Sequence, residues 1–166
     1  PSGSPHPMAK SSKSKPNIAL DQPTAAIVLA AGQGTRMKSR RPKVMHQVAG
    51  RTLVGHVLAT LADEAVRPVV VVIGPDMDSV AQAVAPHKCV EQTERLGTGH
   101  AVRQAEPLLK DFQGDVLIVY GDTPFVTAET YARMRAARAV KKPPAVVVLG
   151  FEPKEPGGYG RLIVGK

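Results

Sequence analysis

The residues best suited to chemistry follow the first aliphatic segment of the sequence. Leu29-Ala30-Ala31-Gly32 leads into a second glycine, Gly34, and then into Arg36. Two glycines one residue apart let the backbone turn sharply and present bare N–H groups to an anion, because no Cβ stands in the way. Arg36 follows within reach of the same turn. This spacing predicts a phosphate site.

A lysine follows in a stiffened segment, Arg41-Pro42-Lys43. Proline disfavours a helical conformation at the residue before it and fixes its own φ, so we expect Lys43 to leave an extended segment. A lysine held in this way meets a phosphate as a point charge and loses less conformational entropy. An isolated Pro-Lys pair is usually an ordinary solvated loop. This lysine stands 11 residues after Gly32 in a stretch without carboxylates, which favours the phosphate interpretation.

Two familiar phosphate motifs are excluded. The dinucleotide-binding fingerprint needs a third glycine where Met37 stands, and an acidic residue about 20 positions later. No acidic residue lies between Asp21 and Asp63. The Walker loop needs Gly-Lys-Ser/Thr after four intervening residues, and that sequence is missing too. Gly32-x-Gly34 alone is weak evidence, so the function depends on the segments that follow it.

A carboxylate suited to a hard cation follows another aliphatic run. Asp122 is the first carboxylate after Asp115–Tyr120, and Gly121 before it leaves room for a ligand. Mg²⁺ usually takes one or two protein carboxylates and fills its coordination shell with water and phosphate oxygens. The alternative for Asp122 is a cap on the turn before Thr123-Pro124, since aspartate commonly begins such turns.

The net charge of +8 is confined to the first third of the chain. Residues 1–21 carry +2, residues 22–62 carry +6, and the remainder is neutral, with most of the excess between Arg36 and Lys43. Such a distribution indicates a compact anion site and a basic tail. It lacks the long basic stripe that tracks a nucleic-acid backbone.

Composition sets the class of protein. The 166 residues correspond to about one domain, with 43% hydrophobic and only 4% aromatic residues, so the core is expected to be aliphatic. The single Cys89 excludes a disulfide scaffold and a multi-thiolate zinc site and fits a reducing, cytoplasmic compartment. No apolar run approaches the ~20 residues of a membrane span. Residues 1–24, rich in Pro, Ser and Lys, are predicted to be a disordered leader.

The elements that must position these residues alternate along the chain. Nearly continuous aliphatic runs predict parallel strands buried on both faces, at Ala25–Ala31, Pro68–Gly74, Asp115–Tyr120 and Ala145–Phe151. Helical spacing predicts helices over Thr52–Ala65, Met77–Val84, Gly99–Lys110 and Thr127–Val140. This alternation predicts a three-layer α/β sandwich with a mostly parallel sheet. Ligands of such sheets bind beyond the carboxyl ends of the strands, where three of the four predicted strands carry phosphate-suited residues.

Four ordered segments together resemble a known family. Leu29–Met37 with Pro42–His46 is similar to the signature of sugar-nucleotide pyrophosphorylases. Three further segments narrow the resemblance to the uridyltransferase domain of the bacterial bifunctional N-acetylglucosamine-1-phosphate uridyltransferases/glucosamine-1-phosphate acetyltransferases. These are Glu91–Ala101, Tyr120–Pro124 and Gly158–Arg161. The resemblance covers residues 25–166 and implies a nucleotide-diphospho-sugar transferase (Rossmann-like) fold that is incomplete at the C-terminus.

The resemblance also implies a role for each site residue. Arg36 and Lys43 would neutralise the triphosphate, and Asp122 would ligate Mg²⁺. The nucleotide would be bound by Leu29, Ala30, Ala31, Gly32, Gln92, Gly97 and Thr98. The sugar phosphate would be bordered by Tyr120 and Gly121, and Gly160 would line the amino-sugar pocket. His46, His56 and His100 lack a paired carboxylate at useful spacing, so packing or orientation is the expected role. The basic residues between Arg133 and Lys142 are expected to form a solvated helix face and end.

The implied reaction is Mg²⁺-dependent uridylyl transfer from UTP to N-acetylglucosamine 1-phosphate, a step in cell-wall precursor synthesis, with no nucleic-acid or membrane partner. The resembled domain continues beyond Gly160 and is followed by a trimer-forming acetyltransferase domain, so we expect this chain alone to bind nucleotide with little turnover. Two alternatives stay open. One is a cytidylyl- or guanylyltransferase of the same architecture, and the other is a non-catalytic nucleotide-binding module.

Overall fold

The computed structural model describes residues 22–32, 34, 39, 41–155, 157–158, 160–163 and 165. Arg36 and nearly all of the predicted leader therefore lie outside the described residues. The strands are β1 (Thr24–Leu29), β2 (Gln47–Val48), β3 (Arg51–Thr52), β4 (Val69–Ile73), β5 (Lys88–Glu91) and β6 (Asp115–Tyr120). The helices are α1 (Leu53–Asp63), α2 (Asp78–Ala83), α3 (Thr98–Gln104), α4 (Glu106–Leu109) and α5 (Ala128–Arg138).

A four-stranded parallel sheet forms the centre of the molecule, in the order β5-β4-β1-β6. All five residues of β4 and five of the six of β1 are buried, as expected for aliphatic strands covered on both faces. The same prediction is wrong for β6, because this edge strand leaves Val116, Ile118 and Tyr120 exposed on one face. β1 pairs with β6 from Thr24↔Asp115 to Leu29↔Tyr120. The carboxyl ends of these two neighbours therefore lie side by side. β2 and β3 form a separate small antiparallel hairpin.

Hydrophobic clusters on the two faces of the sheet make the three layers. On one face, Val28 and Val71 pack with Leu61 of α1 and Tyr131 of α5. On the other face, Ile27, Val70 and Val72 pack with Ala101 of α3 and with Ala105. Successive residues of β1 and β4 thus alternate between the two clusters, as the pleat requires. The prediction of a three-layer α/β sandwich with a mostly parallel sheet is confirmed.

Helix α1 shows how local sequence sets an element. Thr52 caps its start, since the Thr52 hydroxyl accepts a hydrogen bond from the backbone N–H of Gly55 at 3.1 Å. Val54, Val57 and Leu61 recur at helical spacing and are buried against the sheet. In the described part of the chain, no helix combines the length and the apolar character that crossing a bilayer would demand.

Two predicted elements differ from the structure. Ala145–Phe151 is not a strand: Val146 and Phe151 are largely exposed, and the segment makes no ladder with the edge strand β6. An aliphatic run forms a strand only when a partner strand and a covering layer are available. The helix predicted over Gly99–Lys110 is divided into α3 and α4 at Ala105. Pro107 explains the break, because its ring cannot continue the helical hydrogen bonds.

Other differences concern short or polar segments. Pro42 is extended as expected, with φ −52° and ψ 140°, but Lys43 begins a single 3₁₀ turn over Lys43–Met45. The strand β5 and the β2–β3 hairpin have no predicted counterpart. Two arginines of the predicted solvated helix face are instead ion-paired. Arg138 binds Asp115 at 2.8 Å, and Arg135 contacts Glu64 at 3.5 Å, so both tie α5 to neighbouring elements.

Candidate nucleotide-binding site

A cleft of about 310 Å³ opens at the carboxyl ends of the sheet strands. This is the edge at which parallel α/β sheets bind their ligands. The described residues that line it come from the ends of β1 and β6, the 3₁₀ turn, the segment after β5 and the start of α3. They are Leu29, Ala31, Gly32, Lys43, Val44, Gln92, Arg95, Gly97, Thr98, Ala101, Tyr120 and Asp122.

An ion pair spans this cleft. The Lys43 Nζ lies 2.6 Å from Oδ2 of Asp122, and both side chains remain partly exposed, at 43% and 27%. Lys43 reaches this position from the 3₁₀ turn after Pro42, and Asp122 from the turn that follows β6. A cation suited to phosphate and a carboxylate suited to a hard metal ion are therefore within one hydrogen bond of each other. Both ends of the pair are accessible to a ligand.

Glycines allow the backbone to approach closely on either side of the pair. Gly34 has a φ of +62°, and a Cβ built there would lie 2.7 Å from the Cβ of Lys43. Only glycine combines that conformation with that contact. A Cβ on Gly121 would lie 3.2 Å from the carbonyl oxygen of Leu29, to which Gly121 donates its N–H at 2.9 Å. The missing side chain of Gly121 thus lets the turn bearing Asp122 pack against β1.

A buried amide lies at the other side of the cleft. Gln92 is only 5% exposed. Its Nε2 lies 3.2 Å from the carbonyl oxygen of Gly97 and 3.2 Å from Nδ1 of His100. The Gln92 backbone N–H donates to Ile73 at the end of β4, which fixes the start of this segment against the sheet. Gly97, with a φ of +94°, turns the chain into α3.

Most of the predicted site residues that the structure describes converge on this cleft. Nine line it: Leu29, Ala31, Gly32, Lys43, Gln92, Gly97, Thr98, Tyr120 and Asp122. Ala30 is buried behind it and donates its N–H to Val72. Gly121 is also buried. Gly160 is exposed and lies outside the lining residues. The prediction for Arg36 falls outside the described part of the chain.

Three further residues, which the sequence did not single out, line the cleft. Arg95 brings a second described cation to the cleft, and Val44 and Ala101 contribute apolar surface. Arg95 stands inside the segment Glu91–Ala101, so its position beside Gln92 was the available signal. Val44 and Ala101 are indistinguishable in sequence from ordinary core residues. Among the described lining residues, Asp122 is the only carboxylate. The described residues contain no group of three or more His, Cys, Asp or Glu side chains that could enclose a metal ion.

The histidines take orientation and packing positions. The Nε2 of His56 lies 2.7 Å from the carbonyl oxygen of Val48 and ties α1 to the hairpin. His100 stands between Gln92 and Gln104. The backbone carbonyl of His46 accepts from Leu53 at 2.9 Å, which links the 3₁₀ turn to the start of α1. The rings of His56 and His100 thus contact neighbouring groups, whereas Nε2 of the His46 ring is buried without a hydrogen-bond partner among the described residues, and the orienting role stays a prediction.

Sequence comparison identifies relatives of this chain. The family model of the MobA-like NTP transferase domain matches residues 26–164. The bifunctional protein GlmU of Paramagnetospirillum magneticum is 58% identical over 141 residues, which are 85% of this chain and 31% of that protein. The bifunctional protein GlmU of Rhodospirillum rubrum is 59% identical over 140 residues, with coverage of 84% and 31%. The chain therefore spans about a third of the length of the curated relatives it matches.

Solved structures share the fold at lower identity. The homologue of Rv0371c from Mycobacterium sp. strain JC1 superposes with a TM-score of 0.59 at 24% identity, over 70% of this chain and 60% of that one. Rv0371c of Mycobacterium tuberculosis, solved in complex with manganese, gives 0.57 at 21% identity, with coverage of 70% and 59%. The 4-diphosphocytidyl-2C-methyl-D-erythritol synthase of Anaerococcus prevotii gives 0.54 at 20% identity, with coverage of 70% and 51%.

The cleft geometry and these comparisons lead to one conclusion. A phosphate-suited lysine and a metal-suited carboxylate meet at the carboxyl edge of a parallel sheet, in a chain that is 58% and 59% identical to two bifunctional GlmU proteins. The resemblance found in the sequence is confirmed. The chain belongs to the MobA-like NTP transferase domain family and is a nucleotidyltransferase domain.

Proposed function

We propose that this domain transfers a uridylyl group from UTP to N-acetylglucosamine 1-phosphate and releases pyrophosphate. The observation that carries the proposal is the Lys43–Asp122 pair in a cleft that also holds Gln92. The four sequence segments that resemble uridyltransferases supply the identity of the two substrates. The product would serve peptidoglycan and lipopolysaccharide synthesis in the cytoplasm.

The nucleotide side of the cleft has a distinct set of residues. Ala31 and Gly32 follow the end of β1 and line the cleft. The small side chain of Ala31 and the absence of one on Gly32 leave the main-chain N–H and C=O groups open to a ligand. Gln92, Gly97 and Thr98 face them from the other side of the cleft. We assign the base and ribose to this region. Lys43, together with Arg36, is assigned to the triphosphate.

The residues present fit one divalent cation, for which we propose Mg²⁺. Asp122 offers a partly exposed hard oxygen ligand beside the proposed phosphate position. A single carboxylate suffices, because Mg²⁺ fills most of its shell with water and phosphate oxygens. When bound, the ion would supply neutralisation of phosphate charge. The ammonium of Lys43 would then turn from Asp122 towards the phosphates.

The reaction needs positioning more than proton transfer. An oxygen of the sugar 1-phosphate forms a bond to the α-phosphorus of UTP, and the bond from that phosphorus to the bridging oxygen of the pyrophosphate breaks. The attacking group is already an anion, so no protein base is required. Lys43 and Arg36 would reduce the repulsion between two polyanions and stabilise the charge on the leaving pyrophosphate.

The sugar side is less completely formed by the described residues. Tyr120 lines the cleft and Gly121 lies behind it, but Gly160 is outside the lining. We therefore propose that residues 25–166 act first as a nucleotide-binding unit, with residues 1–24 as a leader, and that this chain alone turns over slowly. Trimer formation by full-length relatives would use a part outside this chain.

A nucleotide competition experiment tests the proposal. UTP, CTP and GTP at equal concentration, each with Mg²⁺, are compared for their effect on the Tm of the purified chain. We expect UTP to raise the Tm most. Greater protection by CTP or GTP would contradict uridylyl transfer and favour another nucleotidyltransferase of this fold.

Exchange of labelled pyrophosphate into UTP then separates catalysis from binding. Slow exchange of pyrophosphate into UTP that is lost in the Lys43→Ala variant would support a transferase. UTP binding with no exchange above that variant would indicate a non-catalytic binding module.

A further inference from the structure

The amide of Gln92 is held in one orientation. The carbonyl oxygen of Gly97 can only accept a hydrogen bond, so the group that faces it at 3.2 Å must be the Gln92 NH₂. The hydrogen bonds that described residues make with the Gln92 side chain both involve Nε2. The amide oxygen Oε1 therefore remains as the acceptor that this side chain can offer to a ligand in the cleft.

His100 sits between two amide nitrogens. Its Nδ1 lies 3.2 Å from Nε2 of Gln92, and its Nε2 lies 3.1 Å from Nε2 of Gln104. A neutral imidazole has one accepting and one donating nitrogen, so only one of these two amides can donate to it. The tautomer of His100 thus decides which amide keeps its present orientation.

The two amides are not equally free to turn. Gln92 is 5% exposed and is bound to the Gly97 carbonyl, whereas Gln104 lies half-buried on α3 and contacts the His100 carbonyl within its own helix. Turning the Gln92 amide would oppose two oxygens in a buried place, which is costly. Turning the Gln104 amide would also lose its bond to the His100 carbonyl, but Gln104 is only partly buried, so water can replace that bond. The lower-energy arrangement leaves Nδ1 of His100 as an acceptor from Gln92 and places the proton on Nε2.

We infer that His100 is a positioning residue for base selection. By accepting from Gln92, it keeps the oxygen of that amide turned towards the base. An amide oxygen pairs with a base that donates from its ring nitrogen, as uracil does at N3. Cytosine presents an unprotonated N3 instead and is disfavoured. This inference rests on the proposed function, because it specifies how a uridylyl-transferring site would reject CTP.

The ring tautomer can be measured directly in the wild-type protein. The ¹⁵N chemical shifts of the His100 ring are expected to show an unprotonated Nδ1 and a protonated Nε2 at a pH where the ring is neutral. A ring protonated at Nδ1 would overturn the inference. This measurement depends neither on turnover nor on any variant folding.

Base selection is tested by the ratio of the dissociation constants for CTP and UTP. His100→Phe keeps an aromatic ring but removes the nitrogen that accepts from Gln92. We expect the ratio to fall about three- to tenfold in this variant, which corresponds to the loss of one neutral hydrogen bond. His100→Asn places an amide oxygen near the Nδ1 position and is expected to restore most of the ratio. Gln104→Met removes the competing amide and is expected to leave the ratio unchanged.

The outcomes separate the two proposals. A structural role for His100 alone would weaken CTP and UTP equally and lower the Tm, and it would leave the ratio unchanged. A wild-type ratio that is retained in His100→Phe overturns the inference while the proposed function stands. A wild-type protein that does not prefer UTP over CTP overturns the proposed function itself.

Discussion

The ammonium of Lys43 lies 2.6 Å from the carboxylate of Asp122, although the two residues belong to distant parts of the chain. β1 and β6 are neighbours in the sheet, and Gly121 lets the turn after β6 pack on Leu29. In this arrangement each residue neutralises the other. A triphosphate and a divalent cation that arrive together would replace one ion pair by two new ones. Binding of the nucleotide and binding of the cation should therefore reinforce each other.

Replacement of Lys43 by alanine should separate binding from stability. We expect UTP affinity to fall about 10- to 100-fold, because a charge-assisted contact is lost. The free energy of unfolding should change by less than about 1 kcal/mol, since the ion pair is partly exposed. Isothermal titration and urea denaturation measure the two effects. Lys110→Ala, an exposed lysine away from the cleft, is the control, and equal losses in both variants would argue against a phosphate role for Lys43.

Replacement of Asp122 by asparagine should change the response to Mg²⁺. Without the cation, the variant is expected to bind UTP at least as tightly as the wild type, because Lys43 loses its competing carboxylate. With Mg²⁺, the wild type should gain affinity and the variant should gain little. Titrations with and without Mg²⁺ measure this difference, with Asp111→Asn as the control. A full Mg²⁺ response in Asp122→Asn would show that the carboxylate does not hold the cation.

Replacement of Gly34 by alanine should act through Lys43. The new Cβ would lie 2.7 Å from the Cβ of Lys43, in a backbone conformation with φ +62° that alanine avoids. We expect weaker UTP binding together with a lower Tm. Gly50→Ala is the matched control, since Gly50 also has a positive φ, +76°, but a Cβ there meets no atom within 4 Å and the residue does not line the cleft. If both variants bind UTP like the wild type, the close approach of Gly34 does not matter for the site.

The stability of the domain should decline in alkaline solution. Burial raises the pKa of the Cys89 thiol and that of the Tyr131 phenol above their ordinary values of 9.0 and 10.0. The unfolded chain releases the Cys89 proton from about pH 9.0 and the Tyr131 proton from about pH 10.0, while the folded chain retains both, so unfolding is increasingly favoured. The stabilisation is complete below about pH 9.0. Urea midpoints measured from about pH 7 to about pH 10.5 should show the decline.

A double variant tests the origin of that decline. Cys89→Ala combined with Tyr131→Phe removes both the partly buried thiol and the buried phenol, so its urea midpoint should depend less on alkaline pH than that of the wild type. A decline as steep as in the wild type would assign the effect to other groups.

The sequence predicts the central sheet well because buried strands are nearly continuous runs of aliphatic residues. β1, β4 and β6 are runs of aliphatic residues, and the helices between them show regular spacing. β5 escaped prediction because its four residues, Lys88–Glu91, begin and end with a charge at an edge of the sheet. Ala145–Phe151 is an equally aliphatic run, yet it joins neither of the sheets formed by the described residues, so composition alone cannot distinguish it from β6.

The candidate site, like the fold, could be predicted from the sequence only in part. Gly32, Lys43 and Asp122 could be selected because their residue types fit phosphate and metal chemistry after predicted strands. The 2.6 Å contact between Lys43 and Asp122 could not be predicted, because it depends on which strands are neighbours. Arg95 was missed because its residue type does not separate a cleft arginine from a solvated one, and only its place within Glu91–Ala101 pointed to the cleft. The contacts of His100 with Gln92 and Gln104 likewise exist only after the segment beyond β5 has packed on α3.

The uninterrupted pairing of β1 with β6 makes the domain unequally tolerant of insertions. Each strand residue advances the chain by about 3.3 Å and reverses the face of the next side chain. One residue inserted within β6 would carry Asp122 past Lys43 or swing it to the opposite face, and either change would separate the pair. One residue inserted before Asp115, where the strand begins, would only lengthen a surface loop. Length variation among natural or engineered homologues should therefore accumulate ahead of β6 and be rare within it.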